Sequence, residues 1–215
     1  MGDTKISALT AATTVALADQ FVIVQSGASK SVTASVLRAT AIGDGLSNAS
    51  VASVAAGYAV DTYLAGSAIT IPVAGAWAVG TICKWQFDMT KTAAGTATPS
   101  VIVRMGTTGA IGDAQITSVT WAAGTAAIDA GIFDVTVVFR TIGAGTAAVI
   151  NVMGRCTHHL AATGLMSTGA SGTAIALAVS GGFNSTTQTV IGLSFNGGAA
   201  FSGTNTYVFA DADKL

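Results

Sequence analysis

Glutamate is absent from this 215-residue chain: all ten acidic residues are aspartate, and with nine lysines and arginines they bring charged residues to only 9%. A soluble domain ordinarily carries about 25%. Glutamate is a strong former of surface helices, whereas threonine and valine favour strands; a chain that lacks it and fills with Thr, Val, Ala and Gly reads as all-β. The net charge is −1 and the basic residues are scattered singly, which leaves no electrostatic footprint for nucleic acid. Two cysteines are too few for a disulfide framework. Cys83 and Cys156 are expected as buried free thiols on strands, with a single bridge between them as the alternative. Long apolar runs are also missing. Mean hydropathy is high at +0.64, yet Gly, Ser, Thr or a charge breaks every window of about 18 residues that a spanning helix would need. Aromatics at 7% are too few for the girdles of an outer-membrane barrel, so no membrane partner is expected. Near the start, Ser7, Thr10, Thr13 and Thr14 interrupt the apolar stretch after Lys5, which argues against a cleaved secretory signal.

What the chain does contain is 51% hydrophobic residues and 26 glycines. With so little charge, part of the outer surface must be small and apolar, and such a surface usually belongs to a partner-covered face. Composition divides the chain into three regions. Residues 1–40 hold one apolar run, "FVIVQ", the turn-like "SGAS" and then "KSVTASVLRA", a hairpin with room for one helical turn over Ser35–Ala39. Residues 41–57, "AIGDGLSNASVASVAAG", read as a small-residue linker. Residues 58–215 are a series of short β-like runs divided by glycine-rich turns: "YAVDTYL", "AITI", "TICKWQFDMT", "SVIVRM", "QITSVTW", "GIFDVTVVFRT", "AAVINVMGRCTH", "TAIALAVS", "TVIGLSFN" and "TYVFA". Trp85, Phe87 and Met89 alternate with Lys84, Gln86 and Asp88, and Phe133, Val135, Val137 and Phe139 with Asp134, Thr136 and Arg140. Strands of this number and spacing predict a jelly-roll-like antiparallel β-sandwich behind a small N-terminal hairpin. "AGTA" occurs at Ala94, Ala123 and Ala144, but at unequal spacing; it is turn chemistry rather than a repeat.

Catalytic constellations are scarce. The two histidines, His158 and His159, are adjacent and on a strand would face opposite sides, so at most one joins Cys156. That gives two ligands, three with Cys83, where a zinc site needs three or four with a defined geometry. Asp129 and Asp134 are separated by an odd number of positions, which puts them on opposite strand faces and excludes a carboxylate pair. Ser194 has no recognisable base and no nucleophile elbow. "SGASKS" lacks the earlier glycine and the following helix of a phosphate loop, and "MGTTGAIGD" is a hairpin connection. Asn48 and Asn184 match a glycan-acceptor pattern that arises readily in such text. The chain is expected to be no enzyme and to need no cofactor or metal.

One segment is more specific. "KISALTAATTVALADQFVIVQSGASKSVTASVLRA", Lys5–Ala39, resembles an N-terminal module of tailed-bacteriophage virion proteins: "KISAL", a Thr/Ala stretch, an Asp, an apolar strand ending V-Q, a small Gly turn, a lysine and "VT". The text after it is similar to the β-domains of phage fibre and head-decoration proteins. The resemblance implies a virion structural component assembled in the bacterial cytoplasm, commonly a homotrimer. It would dock on a major capsid or a tail or baseplate protein through its N-terminal segment, with Ile6, Leu9, Phe21, Val22, Ile23 and Val24 as docking residues. A capsid decoration or short head fibre fits better than a long tail fibre, because one β-domain follows directly on the anchor. A glycan-binding role would fall to exposed aromatics, for which Trp77, Trp121 and Tyr207 are the candidates, with core or intersubunit packing as their ordinary use.

Overall fold

A computed structural model describes residues 20–25, 28–33, 46–51, 54–71, 73–167 and 172–213, and the chain forms two compact units, Met1–Asp44 and Gly45–Leu215. In the first, β1 (Gln20–Gln25) and β2 (Ala28–Thr33) pair antiparallel from Gln20↔Thr33 to Gln25↔Ala28. This is the hairpin expected from "FVIVQSGASKSVT". Ile6, Leu9 and the helical turn expected over Ser35–Ala39 lie outside the described residues.

The second unit is an antiparallel β-sandwich, with no helix among its described residues. Its strands are β3 (Leu46–Ser50), β4 (Val54–Gly57), β5 (Thr62–Tyr63), β6 (Ile69–Thr70), β7 (Ile82–Lys91), β8 (Ser100–Gly106), β9 (Ala114–Thr120), β10 (Asp129–Thr141), β11 (Val149–His158), β12 (Thr173–Val179), β13 (Val190–Asn196), β14 (Gly203–Asn205) and β15 (Val208–Asp213). In the eight-stranded sheet β12, β11, β10 and β7 lie side by side. The far edge of β7 is shared by β15 and β14, which pair in turn with β3 and β4. The five-stranded sheet runs β5 and β6, then β13, β8 and β9. Apart from the β11–β12 hairpin, which widens the larger sheet, the lateral orders are β3–β15–β7–β10 and β5/β6–β13–β8–β9. The chain reaches them by crossing between sheets after β4, β6, β7, β9, β12 and β13. These crossings make two interlocked Greek keys, the connectivity of a jelly roll.

The small-residue linker expected over 41–57 is corrected by this arrangement. β3 pairs with β15 over five positions and β4 with β14, so residues 46–50 and 54–57 belong to the sandwich. Small residues suit these strands because Gly and Ala let neighbouring backbone approach closely, a use that composition does not distinguish from flexibility. The run "YAVDTYL" likewise contributes only Thr62–Tyr63.

The core forms where the alternations meet. Trp85, Phe87 and Met89 point inward from β7, and Phe133, Val135, Val137 and Phe139 from β10. Phe87 and Phe133 are direct cross-strand partners with rings stacked at 5.0 Å, and Phe195 of the opposite sheet meets both edge-on. Aromatic pairs of this geometry contribute about 0.5–1.5 kcal/mol each beyond the area they bury. Strand β8 is buried on both faces because Arg104, on its outer side, gathers the segments that cover it. Its guanidinium pairs with Asp61 and donates to the carbonyls of Ile111 and Asp113 and to Ser194 Oγ.

Cys83 and Cys156 are both free and fully buried, and burial pushes both thiols up from their ordinary range. A thiol reagent at pH 8 should therefore label neither in the native protein and both after denaturation without reductant. Titration of fewer than two thiols in the denatured, unreduced chain would contradict the free state.

Candidate assembly face

The outer face of the eight-stranded sheet can be read row by row from its register. One row runs Phe209, Gln86, Asp134, Arg155, Ile175 across β15, β7, β10, β11 and β12; the next runs Asp211, Lys84, Thr136, Met153, Leu177; a third runs Asp213, Ile82, Val138, Asn151, Val179. The β15–β7 side carries charge. The β11–β12 side carries Met153, Ile175, Leu177 and Val179, the last three 65%, 76% and 61% exposed. Ile132, farther along β10, and Phe209 across the sheet are also about half exposed.

The polar groups between them satisfy one another. Arg155 donates from Nε and Nη2 to Asp134 Oδ2 at 3.1 and 2.7 Å, and Gln86 Nε2 donates to Asp134 Oδ1 at 3.0 Å. Lys84 pairs with Asp213 at 3.1 Å. The result is an open trough of about 630 Å³ with Gln86, Asp134 and Thr136 on its floor, Phe209 on one wall, and Met153 and Ile175 on the other. Such a face can bind by apolar burial with a few fixed polar contacts, and it holds no nucleophile–base pair.

Strand β12 explains why the sequence hides this face. "TAIALAV" alternates large and small apolar residues, and the structure turns Ala174, Ala176 and Ala178 toward the core while Ile175, Leu177 and Val179 point out. The regular pairing with β11 has no bulge, and among the described strands β12 pairs with no other. The missed signal was present: three β-branched or branched side chains at period two in a strand without charge.

The aromatics named as ligand-facing candidates are placed otherwise. Trp77 is 2% exposed, stacks on Phe139 at 5.0 Å and donates from Nε1 to the Gln188 carbonyl. Trp121 is buried edge-on against Phe133. Both indoles take the ordinary use expected of them, core packing, and neither is exposed as a ligand-facing ring would be, because their ring area is worth more in the core than a polar tip is in water. Tyr207 is half-buried beside Asp88, which accepts from the Thr206 and Tyr207 amides and from Thr206 Oγ1. Phe21, Val22, Ile23 and Val24 lie on β1; their side chains are outside what the structure describes.

The histidines separate as alternation requires: His158 is buried and His159 exposed. His158 Nδ1 lies 2.6 Å from Asp129 Oδ2, and the same carboxylate accepts from the amides of Leu165, Leu160 and Ala130 at 3.0, 3.0 and 2.9 Å. Burial works against the charged form of Asp129, but these four hydrogen bonds outweigh it and hold the carboxyl below its ordinary value. Asp134 faces the opposite side of β10. Lys91, also buried, donates to the carbonyls of Thr125, Ala127 and Gly164. This polar cluster ties the β9–β10 connection to the β11–β12 connection. Among the described residues no group of three or more His, Cys or Asp side chains is placed to hold a metal ion.

No protein-family model matches the chain, and neither a curated protein nor a solved structure is detectably similar to it.

Proposed function

We propose that this chain is a non-enzymatic structural subunit of a tailed-bacteriophage virion, a homotrimeric capsid decoration or short head-fibre protein that docks through its N-terminal segment. The observation that carries the reading is the outer face just described: a large apolar surface whose charges are mostly paired with one another, on a jelly roll that has few charges anywhere. Assembly subunits bury such surfaces; a freely diffusing monomer is poorly served by one. The N-terminal resemblance supports the same reading, as does the division of the chain into a small unit up to Asp44 and a β-domain beyond it.

A tail-fibre or receptor-binding role is the second reading. The trough favours it, since a polar floor between apolar walls suits a sugar ring or an extended peptide. Copy number separates the two. Gel densitometry of purified particles against the major capsid protein should give hundreds of copies for a decoration and tens or fewer for a fibre. A chain that never co-purifies with particles would defeat both.

A further inference from the structure

We infer that the outer face of β10–β12, together with the edge of β12 that no described strand pairs, is the surface on which a second copy of this chain packs. The inference rests on the proposal that the protein is a homo-oligomer and names the face that makes it one.

Clustering points first to an interface. Ile132, Met153, Ile175, Leu177, Val179 and Phe209 are each between 43% and 76% exposed on one side of one sheet. Met153, Ile175, Leu177 and Val179 lie together on the adjacent strands β11 and β12, where exposed apolar residues of a monomer are ordinarily scattered singly.

Charge then points to the kind of partner. Most ionic groups on this face are spent on each other, Asp134 on Arg155 and Gln86 and Lys84 on Asp213, and the two that form no ion pair among the described residues, Asp211 on β15 and Arg140 near the end of β10, are one of each sign. A partner need supply no counter-charge, and one with strong charge of either sign would strand it. Nucleic acid and anionic lipid both look for basic excess, which this face lacks. The complementary surface is another charge-poor apolar one, and a second copy of this 9%-charged chain presents one at equal concentration.

The edge gives the same answer. Exposed edge strands are ordinarily blunted by lysine, proline, a bulge or brevity. β12 has seven residues, none charged, no proline and an unshifted register with β11. Left open, such an edge recruits further chains without limit; a closed symmetric assembly covers it once per subunit.

The test uses the full chain in solution, without particles. Sedimentation velocity of the wild type should give a multimer at micromolar concentration. Ile175→Asp with Leu177→Asp should weaken association on the order of a hundredfold, the scale of losing interface hot spots, with far-UV circular dichroism and thermal midpoint of the diluted protein unchanged. Val60→Asp, an equally exposed apolar position on another segment, should leave the multimer intact. Hydrogen exchange of the wild type decides without any substitution: β12 amides not bonded to β11 should be protected in the multimer and exchange freely on dilution. A monomeric wild type, a doubly substituted chain that stays multimeric, or β12 amides that exchange freely in the multimer would each overturn the inference. A multimer dissolved by the double substitution but absent from particles would leave the inference standing and sink the virion reading.

Discussion

Replacing Asp129 with alanine should lower the stability of the β-domain by about 3–5 kcal/mol, since several buried donors lose one shared acceptor at about 1–3 kcal/mol each. The side chains of Asp129 and His158 are both fully buried, and the carboxylate is the acceptor for three backbone amides besides the imidazole. Alanine leaves all four groups without that acceptor in a site closed to water. It also removes the negative charge that partly offsets the burial of Lys91, whose ammonium is held down from its ordinary value first by desolvation. At about 2–4 °C per kcal/mol for a chain of this size, the thermal midpoint should fall by roughly 10 °C. The comparison must be made at equal protein concentration, because assembly raises the apparent midpoint by mass action. A change under about 1 kcal/mol would mean that water reaches the cluster.

The same carboxylate sets the direction of the acid response. Asp129 and Asp113 are both held below the usual aspartate value of 3.8. For Asp113, burial opposes ionisation but hydrogen bonds from Thr108, Gly109 and Ala110 prevail. A group whose folded pKa is depressed binds its proton more readily in the unfolded chain. The stability these two contribute is therefore complete above about pH 4 and is lost as pH falls through their folded values. The midpoint should be insensitive to these groups near neutrality and drop in acid, and Asp129→Ala should show the shallower acid limb.

How much of this was legible in the sequence depended on whether charge marked one side of a strand. In "KWQFDM" and "FDVTVVFR" every second residue but Val138 is polar, so the inward face follows from period two, and Trp85, Phe87, Phe133 and Phe139 lie where it puts them. In "TAIALAV" both sides are apolar, and volume decided: alanine fits against the core from the last strand of a widened sheet, and the larger side chains are left outside. Length and hydrophobicity could not show that. The linker error has a similar source. "LSNAS" and "VAAG" have weak strand propensity, and they become strands only because β15 and β14 offer open edges contributed from the far end of the chain. The Asp129 cluster joins residues 29 and more positions apart, a closeness that exists only once β10 and β11 are in register.

That correction fixes where the chain can be divided. A protein beginning at Gly45 should fold with the thermal midpoint of the full chain, whereas one beginning at Gly57 should be strongly destabilised or aggregate. The second lacks β3 and nearly all of β4, so it exposes the edge of β15 along Val208–Ala212, where Val208, Ala210 and Ala212 are buried, and that of β14. It also loses Leu46 from the core margin and the 2.7 Å hydrogen bond from Asn48 Nδ2 to the Ala68 carbonyl. The Gly45 chain keeps every strand of the sandwich, and what it gives up is residues 1–44, including β1 with Phe21, Val22, Ile23 and Val24 in succession. A two-stranded hairpin is marginal in water, and apolar side chains of this size gain roughly 1.5–3 kcal/mol each on full burial. Under the proposed function that burial occurs against the particle, once per subunit. The Gly45 chain should accordingly form its multimer, since the β12 face is intact, yet fail to bind particles, and Phe21→Asp with Ile23→Asp in the full chain should do the same. Binding is read by pelleting purified particles with each protein. If the Gly45 chain pellets as well as the full chain, docking belongs to the β-domain and the N-terminal segment is not the anchor.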